Sequence, residues 1–82
     1  MADLTKAQRA MLLASDPDDI TGEEGVGVEL RTGADYQVAW ALQRRGYGYV
    51  EDPGGWLPGM YFNNADGLDA RALIAKGTDH AG

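Results

Sequence analysis

Two aromatic-rich runs with a turn sequence between them constrain this chain most. The segment YGYVEDPGGWLPGMYF, residues 47–62, has Asp52-Pro53-Gly54-Gly55 at its centre, and these residue types favour a tight turn. The two arms therefore predict a β-hairpin, and Pro58 is expected to restrict the second arm to an edge strand or a bulge. Because the 82 residues include no cysteine, the fold has to depend on packing alone, or on packing and a partner chain.

Helical patterns lie on both sides of the hairpin. The first is LTKAQRAMLLAS, residues 4–15, where Thr5 and Gln8 have capping-box spacing. The second is RTGADYQVAWALQRRG, residues 31–46, with Thr32 as the expected N-cap and Gly46 as the left-handed residue that ends the helix.

A third helix is predicted over NNADGLDARALIAKG, residues 63–77, with Asn63 or Asn64 as its cap. The tail 78–82 is expected to fray. Between the first two helices, residues 16–33 form a glycine-punctuated connection in which Val26, Val28 and Leu30 alternate, as in one short strand.

These elements predict a small α+β fold, with helices packed against the hairpin in a single domain that spans residues 1–82. Ten apolar positions remain once the polar faces are assigned. The predicted core consists of Leu4, Met11, Leu12, Val38, Leu42, Tyr49, Val50, Tyr61, Phe62 and Leu73.

Negative charge is concentrated in one stretch of the chain. Thirteen acidic residues face seven basic ones, and five of the acids lie within DPDDITGEE, residues 16–24, at Asp16, Asp18, Asp19, Glu23 and Glu24. Residues 46–63 contain no lysine or arginine and add Glu51 and Asp52. A protein that binds nucleic acid by itself normally presents a basic patch to the phosphates.

The acidic stretch has three interpretations. It is a solvated loop, a calcium site, or a negative surface for a basic protein partner. Calcium is disfavoured, because Ile20 and Gly27 occupy the fifth and twelfth positions of a loop that starts at Asp16, where an EF-hand has ligands. We therefore expect no metal site here.

The second helix carries two aromatic residues away from its aliphatic stripe. Tyr36 and Trp40 fall almost opposite Val38 and Leu42 on a helical wheel. They are either covered by the hairpin or exposed beside the acidic stretch as an anchor for a partner.

Catalysis is not expected. His80, the only histidine, lies in the tail, so the domain has no Ser/His/Asp arrangement. The Gly25-Val26-Gly27 and Gly46-Tyr47-Gly48 segments lack the third glycine of a dinucleotide loop, and no cofactor is predicted. The sequence contains no signal peptide or membrane-spanning run, so a cytoplasmic location is expected.

The element order and three segments resemble small bacterial and phage winged-helix proteins. LTKAQRAML is similar to their opening helix, VAWALQRRGYG to the end of their recognition helix, and YFNNADGLDARAL to their last strand and closing helix. The resemblance implies a winged-helix fold over residues 4–15 and 34–76.

The chain departs from that pattern in two features on which DNA-binding winged-helix proteins depend. The acidic stretch replaces the helix that precedes the recognition helix, and only Arg44 and Arg45 are adjacent bases. In size and acidity the chain resembles phage-encoded inhibitors of host defence, including anti-CRISPR proteins. That resemblance implies a DNA-mimic-like interaction protein, monomeric or homodimeric, that docks on the basic nucleic-acid-binding groove of a protein partner.

Nine residues are the expected partner-binding set: Asp16, Asp18, Asp19, Glu23, Glu24, Tyr36, Trp40, Glu51 and Asp52. In this interpretation the chain binds neither nucleic acid nor membrane directly. The alternative is a dimeric winged-helix transcriptional regulator that binds DNA.

Overall fold

The computed structural model describes residues 4–77 as three helices packed on a three-stranded antiparallel sheet. In chain order the elements are α1 (Lys6–Ala14), β1 (Val28–Leu30), α2 (Gly33–Arg44), β2 (Gly48–Glu51), β3 (Gly59–Asn63) and α3 (Ala65–Ala75). The predicted single-domain α+β class is confirmed. The tail 78–82, with His80, lies outside the described residues.

The helices start at capping residues that the sequence identifies. Thr5 and Gln8 exchange both capping-box bonds at α1, and Thr32 and Asp35 do the same at α2. The backbone N–H groups of Arg31 and Thr32 donate to the Asp35 carboxylate, which lowers the pKa of Asp35. Gly46 follows α2 with a φ of +83°, as expected for a left-handed terminator.

The hairpin is confirmed, but its second arm is the central strand and not an edge. The strand order is β1-β3-β2, with Tyr61 opposite Val28 on one side and Val50 on the other. The expectation drawn from Pro58 is therefore wrong. Pro58 stands one residue before β3, where its missing N–H interrupts no bond of the ladder.

The connection between α1 and α2 contains the predicted short strand, limited to β1. Pro17 and Gly25 form an isolated antiparallel bridge, so residues 17–25 fold back on themselves before β1 begins. Val26, part of the predicted alternation, is exposed and lies outside the strand.

The core lies between the helices and the sheet face that carries Tyr61. Five predicted core residues are buried there, namely Leu4, Met11, Leu12, Leu42 and Tyr61, and Val38 and Val50 pack against them. Leu30 and Ala39 are also buried but were not predicted.

Three of the core predictions are wrong. Tyr49 and Phe62 lie outside the core cluster, since neighbouring residues of a strand point to opposite faces and Val50 and Tyr61 take the inward positions. Leu73 is 46% exposed. α3 instead turns Ala70 and Ile74 towards the core.

Asn63 connects α1, the connection and the sheet inside the protein. Its side-chain amide donates to the carbonyl oxygens of Leu12 and Ser15, each at 3.0 Å, and its Oδ1 accepts from the Tyr61 hydroxyl at 2.8 Å. Its backbone N–H donates to Ser15 Oγ, which itself donates to the Val26 carbonyl. Asn63 and Ser15 are fully buried, so these bonds satisfy polar groups that water cannot reach.

Gly25 lets the connection approach this network closely. Its N–H donates to the Asn63 carbonyl at 2.9 Å, and a Cβ at this position would lie 2.0 Å from Ser15 Oγ. A larger residue at position 25 would push the connection away from the sheet.

The packing predicts different costs for truncating two leucines. Leu42→Ala removes a fully buried side chain and should lower the free energy of unfolding by ~2–5 kcal/mol. Leu73→Ala, at the half-exposed position, should cost ~1 kcal/mol or less. Urea denaturation of both variants measures the difference, and equal costs would mean that the buried face of α2 is misassigned.

Two adjacent asparagines provide a matched test of the buried network. Asn63→Ala removes the bonds to the Leu12 and Ser15 carbonyls and the acceptor of the buried Tyr61 hydroxyl, so we expect a loss of ~3 kcal/mol or more. Asn64→Ala removes the N-cap of α3 and the exposed bond from Asn64 Nδ2 to the Gly46 carbonyl, and it should cost ~1–2 kcal/mol. Thermal and urea unfolding of the pair decide the matter; a loss at Asn63 no larger than at Asn64 contradicts the central role of the network.

Candidate protein-interaction surface

The sheet face opposite the core forms a surface that we call the open face. Because Tyr61 and Val50 point into the core, Tyr49, Met60 and Phe62 point to this other side. All three described helices pack on the Tyr61 side, which leaves these three side chains partly exposed. The Tyr49 and Phe62 rings stack there at a centroid distance of 5.2 Å.

Glutamates flank this apolar strip. Strand register places Glu29 and Glu51 on either side of Met60 in one row across the sheet. Glu29 is paired with Arg31 at 2.6 Å. Glu51 has no basic neighbour in its own strand or in the hairpin loop, because residues 46–63 contain none.

Glu24 brings the acidic stretch to the same face. The Tyr49 hydroxyl donates to Glu24 Oε1 at 3.2 Å across 25 positions of sequence. Partial burial raises the pKa of Tyr49, and the charges of Glu24 and Glu51 raise it further. The tertiary fold therefore joins the two acidic segments of the sequence around one aromatic ring.

The other acids of the stretch differ in what they contact. Asp16 forms an ion pair with Arg71 of α3, so it is partly neutralised. Asp18 organises the loop, since its Oδ1 accepts from the Ile20 N–H at 3.1 Å and its Oδ2 from the Thr21 hydroxyl. Substituting Asp16 and Asp18 would therefore alter fold contacts as well as charge.

Asp19 and Glu23 are exposed on this loop. Neither carboxylate takes part in a hydrogen bond or an ion pair that the structure shows within residues 4–77. These two side chains can change charge without breaking a contact of the fold.

Tyr36 and Trp40 lie away from the acidic stretch. The Tyr36 hydroxyl accepts from the Gly59 N–H at 3.0 Å at the start of β3, whereas Gly25 bonds to Asn63 at the other end of that strand. Four residue steps separate those ends by about 13 Å. Trp40 contacts the Tyr36 ring at a 5.5 Å centroid distance and is 40% exposed, so Tyr36 holds the hairpin while Trp40 stays partly accessible.

The hairpin loop carries exposed apolar residues that sequence reasoning did not select. Trp56 is 95% exposed and Leu57 58% exposed. Asp52, which the sequence did select, accepts the Gly54 N–H through Oδ1 at 3.1 Å and so shapes the loop. The alternation of the two arms could have identified Tyr49, Met60 and Phe62 as outward residues; loop exposure has no such signal.

Two further properties of residues 4–77 concern metal binding and membrane insertion. No group of three His, Asp or Glu side chains in this range is arranged to hold a metal ion. Nor is any helix here long and apolar enough to cross a bilayer.

No protein-family model, curated protein or solved structure matches this chain. The winged-helix resemblance therefore stays a prediction, and the function has to be argued from the surface itself.

The contact between Glu24 and Tyr49 predicts a measurable change in pKa. Glu24→Gln removes a negative charge beside the phenol, so the pKa of Tyr49 should fall towards its ordinary value. Glu23→Gln removes the same charge one residue away and should leave that pKa unchanged. NMR titration of the Tyr49 ring carbon distinguishes the two; equal shifts would mean that Glu24 does not lie on the open face.

Proposed function

We propose that this protein is a non-enzymatic interaction module that docks on a basic, nucleic-acid-binding surface of a protein partner. The observation that carries the proposal is the open face, where Glu24 and Glu51 flank the apolar strip of Tyr49, Met60 and Phe62. Apolar centres with polar rims are typical of protein interfaces.

The sign of the charge supports a basic partner. An acidic surface repels DNA, because each phosphate that approaches adds repulsion and releases no counterion. The same surface attracts a groove lined with lysine and arginine, whose guanidinium groups bind carboxylates as they bind phosphates. Such complementarity accelerates encounter more than it increases final affinity.

Occupying that groove would exclude nucleic acid from it. The proposed outcome is inhibition by competition, as the resemblance to phage-encoded inhibitors of host defence such as anti-CRISPR proteins implies. Asp19 and Glu23 extend the negative field beyond the open face without fold contacts of their own.

The proposal predicts the salt dependence of partner binding. A basic protein captured on the immobilised chain should associate more slowly as salt rises from ~50 to ~200 mM, because screening shortens to ~8 Å at physiological ionic strength. The captured protein should also release its nucleic acid when this chain is added. The proposal is supported by the salt dependence and by the release of nucleic acid, both measured with the purified partner. Capture of a protein on the chain does not support it by itself.

A matched pair of variants assigns the effect to the open face. Glu24→Gln with Glu51→Gln should slow association at least about three-fold. Asp66→Asn with Asp69→Asn also removes two negative charges, but from exposed positions of α3, and should change the association rate little. Sub-micromolar binding of the unaltered chain to random duplex DNA would overturn the proposal and favour a DNA-binding regulator.

A further inference from the structure

A groove lies at the hairpin end of the open face. It has a volume of about 620 Å³ and is lined by Glu51, Asp52, Pro53, Leu57, Pro58 and Met60. Glu51 and Met60 belong to the open face as well, so the two surfaces are continuous. The volume lies within the range of ~300–1,000 Å³ that is typical of ligand sites.

We infer that this groove receives an arginine side chain from a basic segment of the partner protein. The inference rests on the proposed function, because it assumes that the partner is basic. It adds the place where the partner contacts this chain and the partner side chain that makes the contact. The occupant has an apolar stem and a cationic head, and the groove offers a wall suited to each.

The wall of the groove matches the stem. Leu57, Met60 and the two prolines present apolar surface, and Leu57 is 58% exposed without a partner to cover it. Long basic side chains cover apolar surface with their methylene groups while the charged head stays with polar groups. Docking would remove Leu57 and Met60 from water together.

The two acidic residues that line the groove match the head. Glu51 and Asp52 are consecutive carboxylates, and Asp52 is oriented because its Oδ1 accepts the Gly54 N–H. That bond leaves Oδ2 of Asp52 for an incoming donor. Residues 46–63 contain no lysine or arginine, and Arg31, which follows β1 beside the start of β3, is paired with Glu29 at 2.6 Å.

Arginine suits this groove better than lysine. Its guanidinium is planar, is weakly hydrated and donates two parallel bonds to a carboxylate, whereas an ammonium is a strongly hydrated point charge. A largely apolar groove that is also lined by two carboxylates therefore favours the cationic group that loses less hydration.

The test uses end-blocked hexa-arginine and hexa-lysine peptides, titrated into the full chain at physiological salt with NMR detection. Hexa-arginine should shift the methyl signals of Leu57 and Met60 and bind about two-fold or more tighter than hexa-lysine. Glu51→Gln with Asp52→Asn should weaken hexa-arginine binding about five-fold. Asp66→Asn with Asp69→Asn also removes two negative charges, from exposed positions of α3 outside the groove, and should weaken hexa-arginine binding less than about two-fold.

A third variant tests the apolar wall. Leu57→Ser keeps every charge and, at an exposed loop position, should leave the thermal unfolding midpoint nearly unchanged, while hexa-arginine binding weakens about two-fold or more. The proposed arginine site is rejected if the two pairs of charge substitutions weaken hexa-arginine binding equally, or if Leu57→Ser has no effect on it. Such results would reject the groove but not the proposed function, which is tested separately by the salt dependence of partner association. If that association fails to depend on salt, the proposed function is rejected whatever the groove binds.

Discussion

The rest of the structure depends on the hydrogen bonds that the buried side chain of Asn63 forms. It stands at the end of the central strand and bonds to the last turn of α1 through the carbonyls of Leu12 and Ser15. Its backbone holds the connection through Ser15 and Gly25. Because buried polar groups are costly when unpaired, this set of bonds permits one arrangement of α1, connection and sheet and disfavours others.

That arrangement gives the sheet two unlike faces. Tyr61 is fully buried among the helices, and burial raises the pKa of its hydroxyl. With Tyr61 inward, its neighbours Met60 and Phe62 have to point outward. A three-helix layer on one side of three short strands thus leaves the other side with aromatic and methionine side chains partly in contact with water, which is the physical origin of the proposed interaction surface.

Charge and shape act together at that surface. The connection that Asn63 anchors also carries Glu24, and the hydrogen bond from Tyr49 holds this carboxylate beside the open face. Asp16 and Asp18 contribute to folding, whereas Asp19, Glu23 and Glu51 remain available for long-range attraction. A protein of net charge −6 therefore combines acids that form fold contacts with acids that remain available for the proposed partner interaction.

Local signals were sufficient for the elements of this fold. Caps at Thr5 and Thr32, the terminating Gly46 and the glycine-rich loop between β2 and β3 all act over a few residues, so the helices and the hairpin could be predicted without knowing their neighbours. The concentration of acids in residues 16–24 is likewise a property of the sequence alone.

Tertiary structure decided everything that depends on which side of an element faces the core. Tyr49 and Phe62 look like core residues in sequence and become surface residues because the pleat turns Val50 and Tyr61 inward. The separation of Tyr36 and Trp40 from the acidic stretch, and the meeting of Glu24 with Glu51 around Tyr49, follow from strand order and register. The sequence by itself determined the elements and their charge; only the packing of helices on one face of the sheet determined which acids and rings share a surface, because burial is a property of the whole fold and not of any one segment.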